Sequence, residues 1–242
     1  MGIDVRQMSV TNRRRTRLVT FSGLDGAGKS SQAELLRETL TADGVQAVIE
    51  WVPVAINPSI GTMKSVAKGI LRAFVRADRT GAAGGERDDA SDPGKRLVRR
   101  SATVRHVWST VVTVANIVSH WRVMLRHAGR GRIVIFDRYA LDSAVRLHTW
   151  YDELGSVRFQ SWLVRTLSPR PSISFLLDVP ADTALTRKVD RWDLEQLRRQ
   201  AVIYRSECKT FRVKGLDGTR PRDELAVEIA REVSEHLRLN GT

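Results

Sequence analysis

The sequence predicts an α/β fold, a parallel sheet with helices on both faces. Two observations carry this. Short apolar runs of strand character alternate with helical stretches along the chain, and the first run leads straight into a glycine-rich turn and a helix. The composition fits one globular unit of generous size. Of 242 residues, 42% are hydrophobic and 28% charged, too apolar for a wholly disordered chain.

The elements follow in order. Residues 1 to 16 are polar, end in Arg13-Arg14-Arg15-Thr16, and are expected to form a mobile basic tail. Leu18 to Phe21 reads as a buried strand. Ser31 to Leu40 reads as a helix with Ala33, Leu35, Leu36 and Leu40 apolar. Ala47 to Val52 is a second strand, and Pro53 and Pro58 punctuate its exit. Ser59 to Ala77 has helical apolar spacing. Asp78 to Lys95 is rich in Gly, Ala, Asp and Arg with almost nothing to bury, and is expected to be a flexible insertion within a domain spanning 17–242. A long apolar helix is expected from Val98 to His127. Arg132 to Phe136 and Ser172 to Leu177 are strands, and Phe211 to Leu216 is a weaker fifth. Asp223 to Leu237 closes the chain as a helix.

Several classes are set aside by composition. One cysteine, Cys208, excludes an intramolecular disulfide and a cysteine-cluster zinc site. No run reaches the ~18 apolar residues of a membrane span, and no secretory leader is evident, so a soluble, cytoplasmic protein without a membrane span is expected. The net charge is +13, carried mostly by arginine. Such a surface attracts phosphates on small molecules or nucleic acid.

Ligands of open parallel sheets bind beyond the carboxyl ends of the strands. After the first strand stands Gly23-Leu24-Asp25-Gly26-Ala27-Gly28-Lys29-Ser30, which satisfies G-x-x-x-x-G-K-[ST]. Glycines let the backbone wrap a phosphate, and the loop amides and helix N-terminus point at the anion. Lys29 would reach the β- and γ-phosphates, and the Ser30 hydroxyl would ligate Mg²⁺. After the third strand stands Asp137-Arg138-Tyr139. An acid there can hold Mg²⁺ through water, and its neighbouring Arg can clamp a second phosphate. Asp178, after the fourth strand, reads as structural.

These residues together resemble the thymidylate kinase family of P-loop nucleoside monophosphate kinases. The resemblance rests on Phe21 to Gln32, on Asp137-Arg138-Tyr139, on Leu176-Leu177-Asp178-Val179-Pro180 with Arg187 beyond it, and on Asp217-Gly218-Thr219-Arg220-Pro221. It implies a P-loop NTPase fold with a five-stranded parallel sheet, ATP across the phosphate loop (Gly23, Gly26, Ala27, Gly28, Lys29, Ser30, Ser31) and a phosphorylated small-molecule acceptor opposite. Asp25 would face the acceptor, and Arg138 would bind its phosphate. Arg187 would lie under the adenine, with Thr219 and Arg220 in the loop bordering the base. A mobile lid from Arg187 to Trp192 would bring Arg191. Family members carry a catalytic arginine in the phosphate loop or the lid; Gly26 and Ala27 leave the lid to supply it here. The family's frequent dimerisation through helices is compatible with a homodimer through Val98 to His127.

The acceptor side departs from the family. An Arg-Glu-Pro-Gly usually follows the second strand, whereas Glu50-Trp51-Val52-Pro53-Val54-Ala55 stands here without an Arg. Arg105 is the nearest further cation for an acceptor phosphate. Trp51 and Trp108 are candidate walls for a base, and Tyr139 a neighbour of the sugar. The expected activity is transfer of the γ-phosphate of ATP to dTMP. A sugar or lipid-linked acceptor, or a nucleotide-dependent regulatory protein that binds nucleic acid, are the alternatives; the intact Asp137-Arg138 pair favours a kinase.

Overall fold

The computed structural model describes residues 16–51, 102–151, 157–187 and 193–239. The expected tail (but for Thr16), the helix from Ser59 to Ala77, the insertion from Asp78 to Lys95 and the segment carrying Arg191 lie outside the described residues.

Five strands form one parallel sheet: β1 (Arg17–Gly23), β2 (Ala47–Trp51), β3 (Ile133–Asp137), β4 (Ile173–Asp178) and β5 (Lys214–Asp217). Their spatial order is β2-β3-β1-β4-β5. β1 and β3 are buried along their whole length. Central parallel strands are covered on both faces, so they read as unbroken apolar runs rather than as alternation. β5 lies at the edge and buries only Leu216, which is why its sequence signal was weak and its predicted span began three residues early.

Helices follow the strands: α1 (Lys29–Ala42), α2 (Ala102–His127), α3 (Ala140–Tyr151), α4 (Arg158–Leu167), α5 (Ala181–Arg187), α6 (Leu194–Thr210) and α7 (Arg222–Leu239). Aligned residues of neighbouring parallel strands share a face, so the register sorts the core into two layers. Val19, Ile135 and Phe175 face α1 and α7, meeting Ala33, Leu36, Ile229 and Val233. On this side the Phe21 and Phe175 rings stack with centroids 5.6 Å apart. Leu18, Val134 and Phe136 face the other way, against Ile117 and Val123 of α2, Ala144 of α3 and Val164 of α4. The predicted helices on both faces are thus present.

The second layer is partly polar. Thr20 Oγ1 donates to Ser174 Oγ across β1 and β4 at 2.8 Å. His120 of α2 lies buried, its Nδ1 3.0 Å from Ser168 Oγ and its ring against those of Phe136 and Tyr139. Burial penalises the charged imidazole and brings its pKa down to about 4. α2 also turns an apolar stripe outward: Val114, Val118, Trp121 and Leu125, spaced so that they share one helix face. Phe159, Trp162 and Leu167 of α4 are exposed too, and Trp121 Nε1 donates to Leu167 O at 2.8 Å. No helix among the described residues is long and apolar enough to cross a membrane.

His120 makes stability depend on pH. Its folded pKa lies below the ordinary 6.5, so the unfolded chain binds the extra proton and stability falls as pH drops from about 6.5 to 4. His120→Gln should remove about 3 kcal/mol of that acid-side loss, measured by urea unfolding at pH 7 and pH 4. An identical pH slope in the variant would contradict the assignment.

Candidate functional site

The sheet's carboxyl edge gathers the candidate residues because the strand ends are in register. Phe21 pairs with Asp137, Trp51 with Asp137, Gly23 with Leu177, and Asp178 with Asp217. The phosphate loop leaves β1 at Gly23 and enters α1 at Lys29. Gly28 caps the helix in the left-handed region at φ 89°, with no side-chain cap and no acid in the first turn. The first amides of α1 are therefore left for an anion, and Gly28, Ser30 and Ser31 are exposed beside them.

The loop glycines are dictated by space as well as by conformation. Gly26 has φ 88°, and a Cβ there would collide with the Ala184 carbonyl of α5. Ala27 is buried in the core below. A long basic side chain at either position has no room, which gives a physical reason for the missing loop arginine. Gly28, by contrast, has open space where a Cβ would lie.

Lys29 is buried and folds back over its own loop, Nζ donating to Gly23 O at 2.9 Å and Leu24 O at 2.6 Å. A phosphate in the loop would offer stronger, charged acceptors to the same ammonium. Ser30 Oγ donates to Asp137 Oδ2. Asp137 Oδ1 is buried and has no hydrogen-bond partner among the described residues. A hydroxyl and a carboxylate with an orphaned oxygen form a hard-oxygen set suited to Mg²⁺, directly or through its waters.

Arg138 follows, with the left-handed φ of 77°, and pairs with Asp25 of the loop. That conformation costs a non-glycine residue of order 1–3 kcal/mol and persists only when its surroundings fix it. Two bonds do so. Arg138 N–H donates to Phe21 O at 3.0 Å, and Tyr139 N–H donates to Asp142 Oδ2 at 2.9 Å. Asp142, in the first turn of α3, is 0% exposed. The same Oδ2 accepts from Ser22 Oγ at 2.6 Å, and Oδ1 accepts from Tyr204 Oη of α6 at 2.8 Å. Sequence reasoning missed Asp142 and Ser22. The available signal was an acid inside the otherwise apolar start of a helix, three residues after Tyr139.

Other expected residues separate. Tyr139 was expected near an acceptor sugar. Its ring instead lies in the core against Phe136 and His120, and its hydroxyl donates to Pro169 O at 2.6 Å. Burial raises its pKa, so it stays neutral. Trp108 is half-buried against the small cluster of Leu147, Tyr151 and Val157, which favours a packing role. Trp51 is 62% exposed at the end of β2. Arg105 lies in the first turn of α2, half-buried. Arg187 Nη1 donates to Gly218 O at 3.0 Å, which joins it to the loop carrying Thr219 and Arg220. Arg220 itself pairs with Glu228 and Glu224 of α7. Asp178 takes a forked ion pair from Arg205, with contacts of 2.9–3.1 Å.

A phosphate-loop motif, a metal-suited carboxylate and an arginine thus meet at one sheet edge. The chain is similar to thymidylate kinases. It is 26% identical over 230 residues to the thymidylate kinase of Ruegeria pomeroyi, covering 90% of this chain and 95% of that protein. It is 28% identical over 238 residues to that of Leifsonia xyli, covering 92% and 96%, and 25% identical over 230 residues to that of Thermosipho africanus, covering 90% and 98%. No family model matches the chain.

The loop geometry yields an order of costs. Gly26→Ala should destabilise by about 2 kcal/mol or more, because strain and collision with backbone add. Gly28→Ala should cost about 1 kcal/mol, from strain alone. Urea unfolding of both variants checks this; equal costs would mean that α5 does not press on the loop.

Proposed function

We propose that this chain is a Mg²⁺-dependent phosphotransferase that moves the γ-phosphoryl group of ATP to a monophosphate acceptor, with dTMP the first candidate. One observation supports this most: Ser30 and Asp137 meet at the phosphate loop while Arg138 and Asp25 meet beside them. The similarity to thymidylate kinases along most of the chain supports the same reading.

In this reading the loop amides and Lys29 hold the phosphates, Lys29 exchanging two backbone carbonyls for phosphate oxygens. Ser30 and Asp137 would hold Mg²⁺, which would supply positive charge against the negative charge of the phosphates. Arg187, Thr219 and Arg220 border the adenine. Arg138 orients the acceptor phosphate and Asp25 holds that guanidinium in place. Phosphoryl transfer asks for positioning and for stabilisation of spreading negative charge, and these groups supply both. With no room for a basic side chain at 26 or 27, Arg191 is the candidate for the last cation.

A second reading is an acceptor that is not a nucleotide, a phosphorylated sugar or lipid-linked intermediate. It is favoured by the stretch after β2, which lacks an arginine. ADP release from Mg²⁺-ATP across nucleoside monophosphates and phosphosugars separates the two. Turnover of dTMP above the ATPase background is expected; turnover of a phosphosugar with dTMP at background would replace the first reading by the second.

The stripe of Val114, Val118, Trp121 and Leu125 is the proposed seat of a second copy of the chain, by the helix-mediated dimerisation the resemblance implies. Sedimentation should show a dimer for the parent protein and a folded monomer for Val118→Glu. A parent monomer at micromolar concentration would exclude it.

Two substitutions test the chemistry. Lys29→Ala should lower kcat by roughly 10²-fold or more while the fold survives. Asp137→Asn should shift the Mg²⁺ titration to higher concentration. Wild-type turnover in the first, or an unchanged titration in the second, would remove that residue from the mechanism.

A further inference from the structure

Asp142 is a carboxylate with no exposure, and it is neither in the phosphate loop nor in the Asp137-Arg138-Tyr139 turn. A buried anion needs donors, and this one has three, from three different elements. Ser22 belongs to the end of β1, one residue before the phosphate loop. Tyr139 N–H belongs to the turn after β3. Tyr204 Oη belongs to the middle of α6, 62 residues further along the chain. The N-terminus of α3 adds favourable dipole at the same point. Tyr204 is buried, and burial together with the nearby Asp142 raises its pKa well above the usual phenol range, so it remains a donor.

The bond from Tyr139 N–H fixes the peptide between Arg138 and Tyr139. The bond from Arg138 N–H to Phe21 O fixes the peptide before it. The left-handed Arg138 is thereby held on both sides, and its guanidinium meets Asp25. We propose that Asp142 is the positioning residue for Arg138, and that Tyr204 fixes the Asp142 carboxylate so that the setting of Arg138 depends on the packing of α6. The inference rests on the phosphotransferase reading for its consequence in catalysis, but not for the conformation it assigns to Arg138.

A plain helix cap is the competing account, since an acid at the third helical position reaches back to the preceding backbone N–H in a capping box. That account needs only one oxygen of Asp142 and gives Tyr204 no part. Tyr204→Phe separates the two, because it removes the α6 tether and leaves the cap bond in place.

The test compares Asp142→Ala, Asp142→Asn and Tyr204→Phe in the full chain, each confirmed folded by its melting transition. The first readout is the exchange rate of the Tyr139 amide in nucleotide-free protein, followed by NMR and compared with core amides of β3. Asp142→Ala should speed it by about tenfold or more relative to those amides, Asp142→Asn should largely restore protection, and Tyr204→Phe should lie between. The second readout is the split between KM and kcat with dTMP varied at saturating Mg²⁺-ATP. Asp142→Ala should raise the acceptor KM or lower kcat by about tenfold or more. Tyr204→Phe should do so several-fold, with the KM for ATP within twofold of the parent. If the parent turns over no acceptor, the functional reading fails and the amide readout alone decides this one. Tyr139 exchange unchanged in Tyr204→Phe, or losses shared equally between ATP and acceptor, would reduce Asp142 to a cap and overturn the inference.

Discussion

The pairing of β1 with β3 is the constraint on which the site depends. Phe21 opposite Asp137 brings the chain out of the sheet at two adjacent points, once as a glycine loop and once as a tight turn. Parallel pairing makes both exits leave from the same edge. Everything else at the site elaborates that juxtaposition: Ser30 reaches Asp137, Asp25 reaches Arg138, and the Arg138 amide returns to Phe21 O. A slip of one residue would turn Phe21 and Ile135 out of their apolar layer and part these pairs together. Core packing and site geometry therefore hold each other in place.

Charge is buried here only where it is answered. Lys29 rests on two carbonyls, Asp25 on Arg138, and Asp142 on three donors. An unanswered ion at the same depth would cost several kcal/mol. Asp137 is the exception that carries functional weight, since one of its oxygens is buried without a partner among the described residues. Arg138 is the corresponding exception in conformation at the site, held in a region that few non-glycine residues occupy. Both stand at the strand end where the phosphoryl group would be handled.

The fold was legible in the sequence where strands were buried on both sides, because an unbroken apolar run is a strong signal. β1, β3 and β4 fell within about two residues of their predicted bounds, whereas the edge strand β5, with one buried side chain, starts three residues later than predicted. The phosphate loop was legible because its glycines, lysine and serine form one contiguous pattern directly between a strand and a helix. Tyr139 was misjudged because its backbone and side chain do different things: the N–H serves the turn, and the ring fills the core. The cap bond of Asp142 to Tyr139 had a local signal, but its ties to Ser22 and Tyr204 did not, because no local pattern announces contacts over such separations. The reason that position 26 must be glycine was hidden likewise, since the obstructing carbonyl belongs to α5.

The proposed function requires this sheet edge to transfer a phosphoryl group, not merely to bind or hydrolyse a nucleotide. Incubation with ATP labelled in the γ-phosphate, Mg²⁺ and dTMP, followed by separation of the products, tests it directly. Label should appear in the terminal phosphate of dTDP, in step with ADP formed. Label found only in inorganic phosphate, at a rate that no added acceptor changes, would contradict it.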